Sequence, residues 1–221
     1  MGYGWYHQAM ESLDSLLREA EIAHGHLCAG QVLGVRMATL GCRMLGIEDP
    51  RGLVTRADRR RLVTFVEIDR CATDAIAVVT GCRLGKRALK FRDWGKMAAS
   101  FLDLGRPEDP ALGLDAIPGG RAVRIAALES SKQRARELYP HVEGKNTQQM
   151  LAYRELPDEE LFSTQWVSIP LHPREMPGYK SARIACDVCG EGINYDREIV
   201  VGDRTLCQAC AFPETRYYQP L

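Results

Sequence analysis

The chain has 221 residues with 29 basic and 29 acidic side chains, so its formal net charge at neutral pH is +0. A balanced charge supplies no long-range field to attract nucleic acid or an anionic membrane. The sequence has no apolar run of about 18 residues and no N-terminal leader with a basic flank and an apolar centre. We therefore expect a soluble, cytoplasmic protein with no nucleic-acid or membrane partner.

The first half of the chain alternates predicted helices and strands. Apolar residues at helical spacing predict a helix from Tyr6 to Ala23, ended by Gly25, and a second from about Cys28 to Leu45. RLVTFVEI, residues 61–68, predicts a buried strand, and CATDAIAVV, residues 71–79, predicts a short helix. Segments 88–93 and 95–104 predict two strands joined by a turn at Trp94-Gly95.

The second half of the chain contains the predicted boundary between two domains. A strand at 121–128 precedes helices at 130–138, which Ser130 or Ser131 can cap, and at 147–155. A helical turn at 157–162 and a strand at 163–169 follow. Three prolines in PLHPREMPGYKSA, residues 170–182, then predict a linker at 171–180. The expected organisation is an α+β core domain over 1–170, with a mixed or antiparallel sheet and packed helices, and a small module over 181–221.

The C-terminal module carries four cysteines in two CxxC pairs, and 17 residues separate the pairs. Four thiolates in two close pairs complete a tetrahedral zinc site with no open position, as structural zinc sites require. The predicted zinc ligands are Cys186, Cys189, Cys207 and Cys210. The intervening EIVVGDRTLC predicts a hairpin that turns at Gly202-Asp203. A module of this size needs the metal ion in order to fold.

A second group of metal-binding residue types lies between the first two predicted helices. His24, His26 and Cys28 are two residues apart, a spacing at which a loop can direct all three at one point. Imidazole and thiolate are ligands for zinc, nickel, copper or iron, and a helix N-terminus favours the thiolate. Cys71 and Cys82 flank the short helix that carries Asp74, so folding could bring them to the same corner.

Two other interpretations of these residues stay open. The cysteines could be small buried hydrophobic residues, with histidines that only cap a helix. Alternatively, Cys28 could form a redox pair with Cys71 or Cys82. Cys42, inside the second helix, is predicted to belong to the hydrophobic core.

Three blocks of the sequence resemble the formylmethanofuran dehydrogenase FmdE family: HGHLCAGQVLGVRMA at 24–38, DRCATDAIAVVTGCRLGKRAL at 69–89 and FRDWGKMAASF at 91–101. The resemblance implies an FmdE-like α+β core domain, a homodimer, a cleft at the histidine and cysteine loop, and a treble-clef-like zinc finger. The polar residues that match the family are His24, His26, Cys28, Cys71, Asp74, Cys82, Lys86 and Lys96. Ala29 stands where the family pattern has proline, which removes no ligand.

The resemblance also sets the functional expectations. We expect structural zinc in the finger and a second transition metal with a small ligand in the core cleft, where Lys86 or Lys96 binds an anion. The protein would be an accessory to a molybdenum-dependent formylmethanofuran dehydrogenase-type oxidoreductase. The alternative is a zinc-finger module for protein-protein interaction on a dimeric platform.

Overall fold

In the computed structural model, which describes residues 11–52, 61–105 and 121–219, the first helix, α1, spans Leu13–His24. The Ser12 side chain caps its N-terminus, and Gly25 ends it, as predicted, in a left-handed conformation. Helix α2 follows at Ala29–Met44, with Cys28 at its N-cap. The predicted part of the first helix at residues 6–10 lies outside the described residues.

The remaining elements of the first unit for which the structure gives bounds are the strands of one sheet and four further helices. The strands are β1 (Leu62–Val66), β2 (Leu89–Phe91), β3 (Ala98–Asp103), β4 (Arg121–Ala127) and β5 (Phe162–Val167). The helices are α3 (Cys71–Thr80), α4 (Ser130–Leu138), α5 (Lys145–Glu155) and α6 (Asp158–Leu161). This arrangement confirms the predicted α+β class.

The five strands form one mixed sheet in the order β2-β1-β3-β4-β5. Strand β2 pairs with β1 in parallel, whereas the β1-β3, β3-β4 and β4-β5 pairs are antiparallel. Strands β2 and β3 lie in the predicted segments 88–93 and 95–104, but they do not pair with each other, because β1 lies between them. The chain instead passes from β1 through α3 to β2, which is the crossover that parallel pairing requires.

The helices pack on one face of the sheet. Alternate strand residues, among them Val66, Phe101 and Ile125, join buried residues of α1, α2, α3 and α5 in the main hydrophobic cluster. Helix α2 is the central helix of this layer, with eleven buried residues. A Cβ built on its Gly34 would lie 2.8 Å from the Cα of Ala72 in α3, so the glycine allows the two helices to approach closely.

The described residues up to Leu171 form one compact unit, and those from His172 form a second. The second unit begins with a short 3-10 helix (Pro173–Glu175). It continues with two hairpins, β6 (Ile184–Ala185) with β7 (Gly192–Ile193) and β8 (Ile199–Val201) with β9 (Arg204–Leu206). Helix α7 (Gln208–Ala211) and a 3-10 helix (Pro213–Thr215) end it. The β8-β9 hairpin turns at Gly202-Asp203, as predicted.

Every helix within the described residues is too short or too polar to cross a lipid bilayer.

Candidate metal centre

The tight corner between α1 and α2 places three metal-binding side chains together. His24 is the last residue of α1, and Cys28 is the N-cap residue of α2. One ligand atom from each of His24, His26 and Cys28 lies within 4.8 Å of the other two. The two imidazole rings lie 4.8 Å apart between centroids. The His26 ring is exposed and Cys28 is buried, so the cluster spans the protein surface and its interior.

Asp74, in the first turn of α3, fixes the orientation of His24. Its Oδ2 lies 2.8 Å from His24 Nδ1. A neutral imidazole that donates from Nδ1 to a carboxylate presents the lone pair of Nε2, which is the arrangement of many metal-binding histidines. The structure therefore places Asp74 against a candidate ligand, outside the group of three convergent side chains.

Cys71 lies beside Cys28 where the N-termini of α2 and α3 meet. A Cβ built on Gly30 would lie 3.1 Å from Cys71 Cβ and 3.7 Å from Cys28 Sγ, so the glycine leaves room for both cysteines. Desolvation and the neighbouring Cys28 thiol raise the pKa of Cys71. Both effects disfavour two adjacent thiolates, and a bound cation would reverse this by neutralising them. The convergent donors at the corner are thus two imidazoles and one thiol, with the Cys71 thiol beside them.

Two polar side chains that the sequence analysis missed hold this corner in place. Gln31 is fully buried, and its Nε2 donates to the carbonyl oxygen of Cys71 at 2.6 Å. Asn146, at the start of α5, accepts the backbone N–H of Ala29 at 3.3 Å, a free donor in the first turn of α2. Gln31 could have been noticed as a polar residue on an apolar helix, whereas nothing local to Asn146 indicates its role.

The structure does not bring Cys82 to this corner. Cys82 is fully buried, and its sulfur lies 3.4 Å from Thr64 Oγ1 and 3.7 Å from the Leu62 carbonyl oxygen. Burial raises its pKa, and burial likewise raises the pKa of Cys42, which lies in the core as expected. Both are packing residues rather than candidate ligands.

The two lysines that were candidates for anion binding lie in different settings. Lys86 lines a surface pocket together with Arg83 and Val78. The Lys96 ammonium lies over the ring of Trp94, 5.8 Å from its centroid. The structure thus associates one of the two lysines with a pocket.

The four finger cysteines form a second cluster, whose sulfur atoms all lie within 4.8 Å of one another. The Cys207 backbone N–H donates to Cys186 Sγ at 3.3 Å, and Arg216 donates to Cys210 Sγ at 3.8 Å. Backbone N–H groups of Cys189 and Cys207 lower the pKa of Cys186 to about 6, which favours its thiolate. Four convergent sulfurs with supporting donors fit a structural zinc ion.

Two protein-family models match the chain, one within the first unit of the fold and one within the second. Residues 23–163 match the family described as FmdE, molybdenum formylmethanofuran dehydrogenase operon. Residues 178–216 match the prokaryotic dksA/traR C4-type zinc finger. The chain belongs to the FmdE family. Its family-matched region contains the whole histidine and cysteine corner.

Individual proteins also resemble this chain. A probable S-adenosyl-L-methionine-binding protein of Archaeoglobus fulgidus is 36% identical over 101 residues, which are 45% of this chain and 27% of that protein. The chain therefore matches only about a quarter of the length of this curated relative. The crystal structure of a tungsten formylmethanofuran dehydrogenase FmdE-like protein from Syntrophus aciditrophicus has a TM-score of 0.55 and 17% identity, covering 93% of this chain and 95% of that one. At this identity the likeness supports the fold.

Proposed function

We propose that this FmdE-family protein binds a transition-metal ion at the corner between α1 and α2, in addition to the structural zinc ion of its finger. The supporting observation is the convergence of ligand atoms from His24, His26 and Cys28 within 4.8 Å. Cys71 lies beside these three ligands, and the fourth coordination position is left to a water molecule or a small ligand. A set of two nitrogens and one sulfur suits zinc and other borderline metals.

The residues around the corner favour an accessible metal centre over a closed structural one. His26 is exposed and Cys71 is half-buried, so a small ligand can approach from the solvent. A metal ion with a reachable coordination position supplies Lewis-acid chemistry or activates a bound water molecule. Asp74 holds the His24 ring and its tautomer, and Gln31 holds the backbone of Cys71.

Metal stoichiometry of the full-length protein tests this proposal. The wild-type chain should retain two metal equivalents after dialysis, and His26→Ala/Cys28→Ser should retain one. Cys189→Ser/Cys207→Ser, which removes two finger sulfurs, should also retain one. A wild-type protein with a single equivalent, lost only in the finger variant, would contradict the core metal site.

The finer part of the proposal is an accessory role beside a formylmethanofuran dehydrogenase-type oxidoreductase. It is supported by the description of the family and by the sequence, which contains no ferredoxin-type cysteine run for electron transfer. Under this proposal, adding the metal-loaded protein raises the activity or metal content of such an oxidoreductase. Equal activity and metal content with and without the protein would reject this role.

A second candidate function assigns partner binding to the finger. Apolar side chains of the second unit are exposed, including Val188 at 56% and Val200 at 69%. We propose these residues as the contact surface for the oxidoreductase. Val188→Ser/Val200→Ser should lose oxidoreductase binding while retaining two metals. His26→Ala/Cys28→Ser should lose the core metal while retaining oxidoreductase binding. If Val188→Ser/Val200→Ser binds the oxidoreductase as tightly as wild type, this assignment fails.

A further inference from the structure

A surface pocket of about 410 Å³ lies between the C-terminal halves of α1 and α3. Ile22 of α1 and Val78 of α3 contribute its apolar wall, and Arg83 and Lys86 from the loop after α3 contribute positive charge. Its volume is within the range of small-molecule sites. Size alone does not identify a ligand, but the distribution of charge around the pocket does.

The charges that line the pocket do not balance. Glu19 is the acidic residue of the lining, and its carboxylate pairs with Arg51 at 3.0 Å. Arg51 also contacts Glu11 at 3.3 Å. In the part of the chain that the structure describes, no carboxylate lies within ion-pair distance of Arg83 or Lys86. With Glu11 included, the described charges around the pocket sum to one net positive charge, which lies on the loop that carries Arg83 and Lys86 and favours an anionic occupant.

The loop that carries these two cations is held in a closed turn. The Arg83 carbonyl oxygen accepts the backbone N–H groups of Lys86, Ala88 and Leu89 at 3.2, 3.3 and 3.2 Å. Arg87 adopts a left-handed conformation with φ of 59°, which completes the turn. Because the backbone is fixed in this way, little conformational entropy is lost there when an anion binds.

The apolar wall distinguishes an organic anion from an inorganic one. Ile22 is 83% exposed, and the buried Val78 also lines the pocket. An occupant with an apolar portion would cover Ile22, whereas inorganic phosphate would leave it in water. The combination of two cations and an aliphatic wall matches a molecule with one anionic group and a small apolar body.

The pocket adjoins the proposed metal centre along the groove between α1 and α3. Ile22 and Ala23 immediately precede His24, and Val78 is four residues after Asp74, about 6 Å along the same helix face. Lining residues of the pocket are therefore close in the chain to the His24-Asp74 pair.

We propose that this pocket binds a small organic anion, a carboxylate or a phosphate ester, through Arg83 and Lys86. Insofar as this ligand is the substrate of the metal centre, the inference rests on the function proposed above. Binding of the anion itself needs only the pocket. The two proposals can therefore fail separately.

Titration of the full-length protein with benzoate, phenyl phosphate, inorganic phosphate and neutral benzamide, followed by calorimetry and NMR, tests the pocket. One or both organic anions should bind at least about tenfold more tightly than benzamide and inorganic phosphate. Comparing benzoate with phenyl phosphate distinguishes a carboxylate ligand from a phosphate ester. Resonances of Ile22 and of residues 83–86 should shift on binding.

Arg83→Ala/Lys86→Ala should weaken binding of the preferred anion by about tenfold or more. Arg136→Ala/Lys180→Ala removes the same charge from exposed positions elsewhere and should not change the affinity. His26→Ala/Cys28→Ser should bind the anion as wild type does. Equal binding of anions and benzamide, wild-type affinity in Arg83→Ala/Lys86→Ala, or anion binding that disappears with the core metal would each overturn the proposal.

Discussion

The contact between His24 and Asp74 allows a quantitative test of the metal centre. Replacing Asp74 by Asn keeps the size of the side chain but removes the negative charge that holds the His24 Nδ1 proton. Loss of such a carboxylate behind a metal ligand lowers metal affinity by about 10–100-fold. Because the Asp74 side chain is 58% exposed, solvent screens the interaction, and we expect the lower end of that range, about tenfold or 1.4 kcal/mol.

The assay is a competition titration of the full-length protein with zinc and a chromophoric chelator. Zinc binding to the finger should keep its wild-type affinity in Asp74→Asn and serves as an internal standard. Zinc binding to the core site should become weaker. Asp69→Asn is the matched control, since Asp69 is exposed and makes the same charge change near α3. A change of less than about twofold in the zinc affinity of the core site, or an equal loss of affinity in Asp69→Asn, would refute the role of Asp74.

Three further predictions concern the scaffold of the site. Gly34→Ala should destabilise the protein by about 3 kcal/mol in chemical denaturation, because the new methyl group collides with the Ala72 backbone, whereas Gly85→Ala meets open space and should be neutral. Cys82→Ala should keep two metal equivalents in metal analysis despite a modest loss of stability; loss of the core metal would place Cys82 at the site. Burial opposes ionisation of Asp158, but hydrogen bonds from Arg36 and Arg43 outweigh it and lower its pKa. Wild type should therefore be more stable than Asp158→Asn by about 1–2 kcal/mol above about pH 4. Unfolding curves measured over a range of pH should show this difference vanish as the pH falls below that value.

The parts of the structure that the sequence predicted depend on local chemistry. Gly25 and Gly81 end helices because each adopts a left-handed backbone conformation that glycine accommodates at low cost. The four finger cysteines converge because their spacing leaves few other ways to place two CxxC pairs on one ion. The corner residues His24, His26 and Cys28 are near one another in the sequence, so their proximity could also be predicted.

Features that depend on distant parts of the chain were not predictable in the same way. The sequence predicted β2 and β3 as two strands joined by a turn, but it did not indicate that β1 lies between them in the sheet. Ser131 was a candidate helix cap, yet its hydroxyl donates to the Leu128 carbonyl oxygen.

The different positions of the two cysteines that flank α3 could not be predicted from the sequence either. Cys71 and Cys82 flank one helix and are alike in the sequence, but α3 directs them to different places. The close approach of α2 to the start of α3 at Gly30 brings Cys71 to Cys28, while Cys82 follows the other end of α3 into the core. Only the packing of the two helices distinguishes the candidate ligand from the packing residue.

The most direct test of the account is a crystal structure of the metal-loaded, full-length protein with anomalous diffraction measured at the absorption edge of the bound metal. We expect two anomalous peaks per chain, one among the finger cysteines and one about 2.0–2.3 Å from a nitrogen of His24, a nitrogen of His26 and the sulfur of Cys28. A finger peak alone, in crystals grown with excess metal and with the three side chains well ordered, would contradict a metal centre in the core domain.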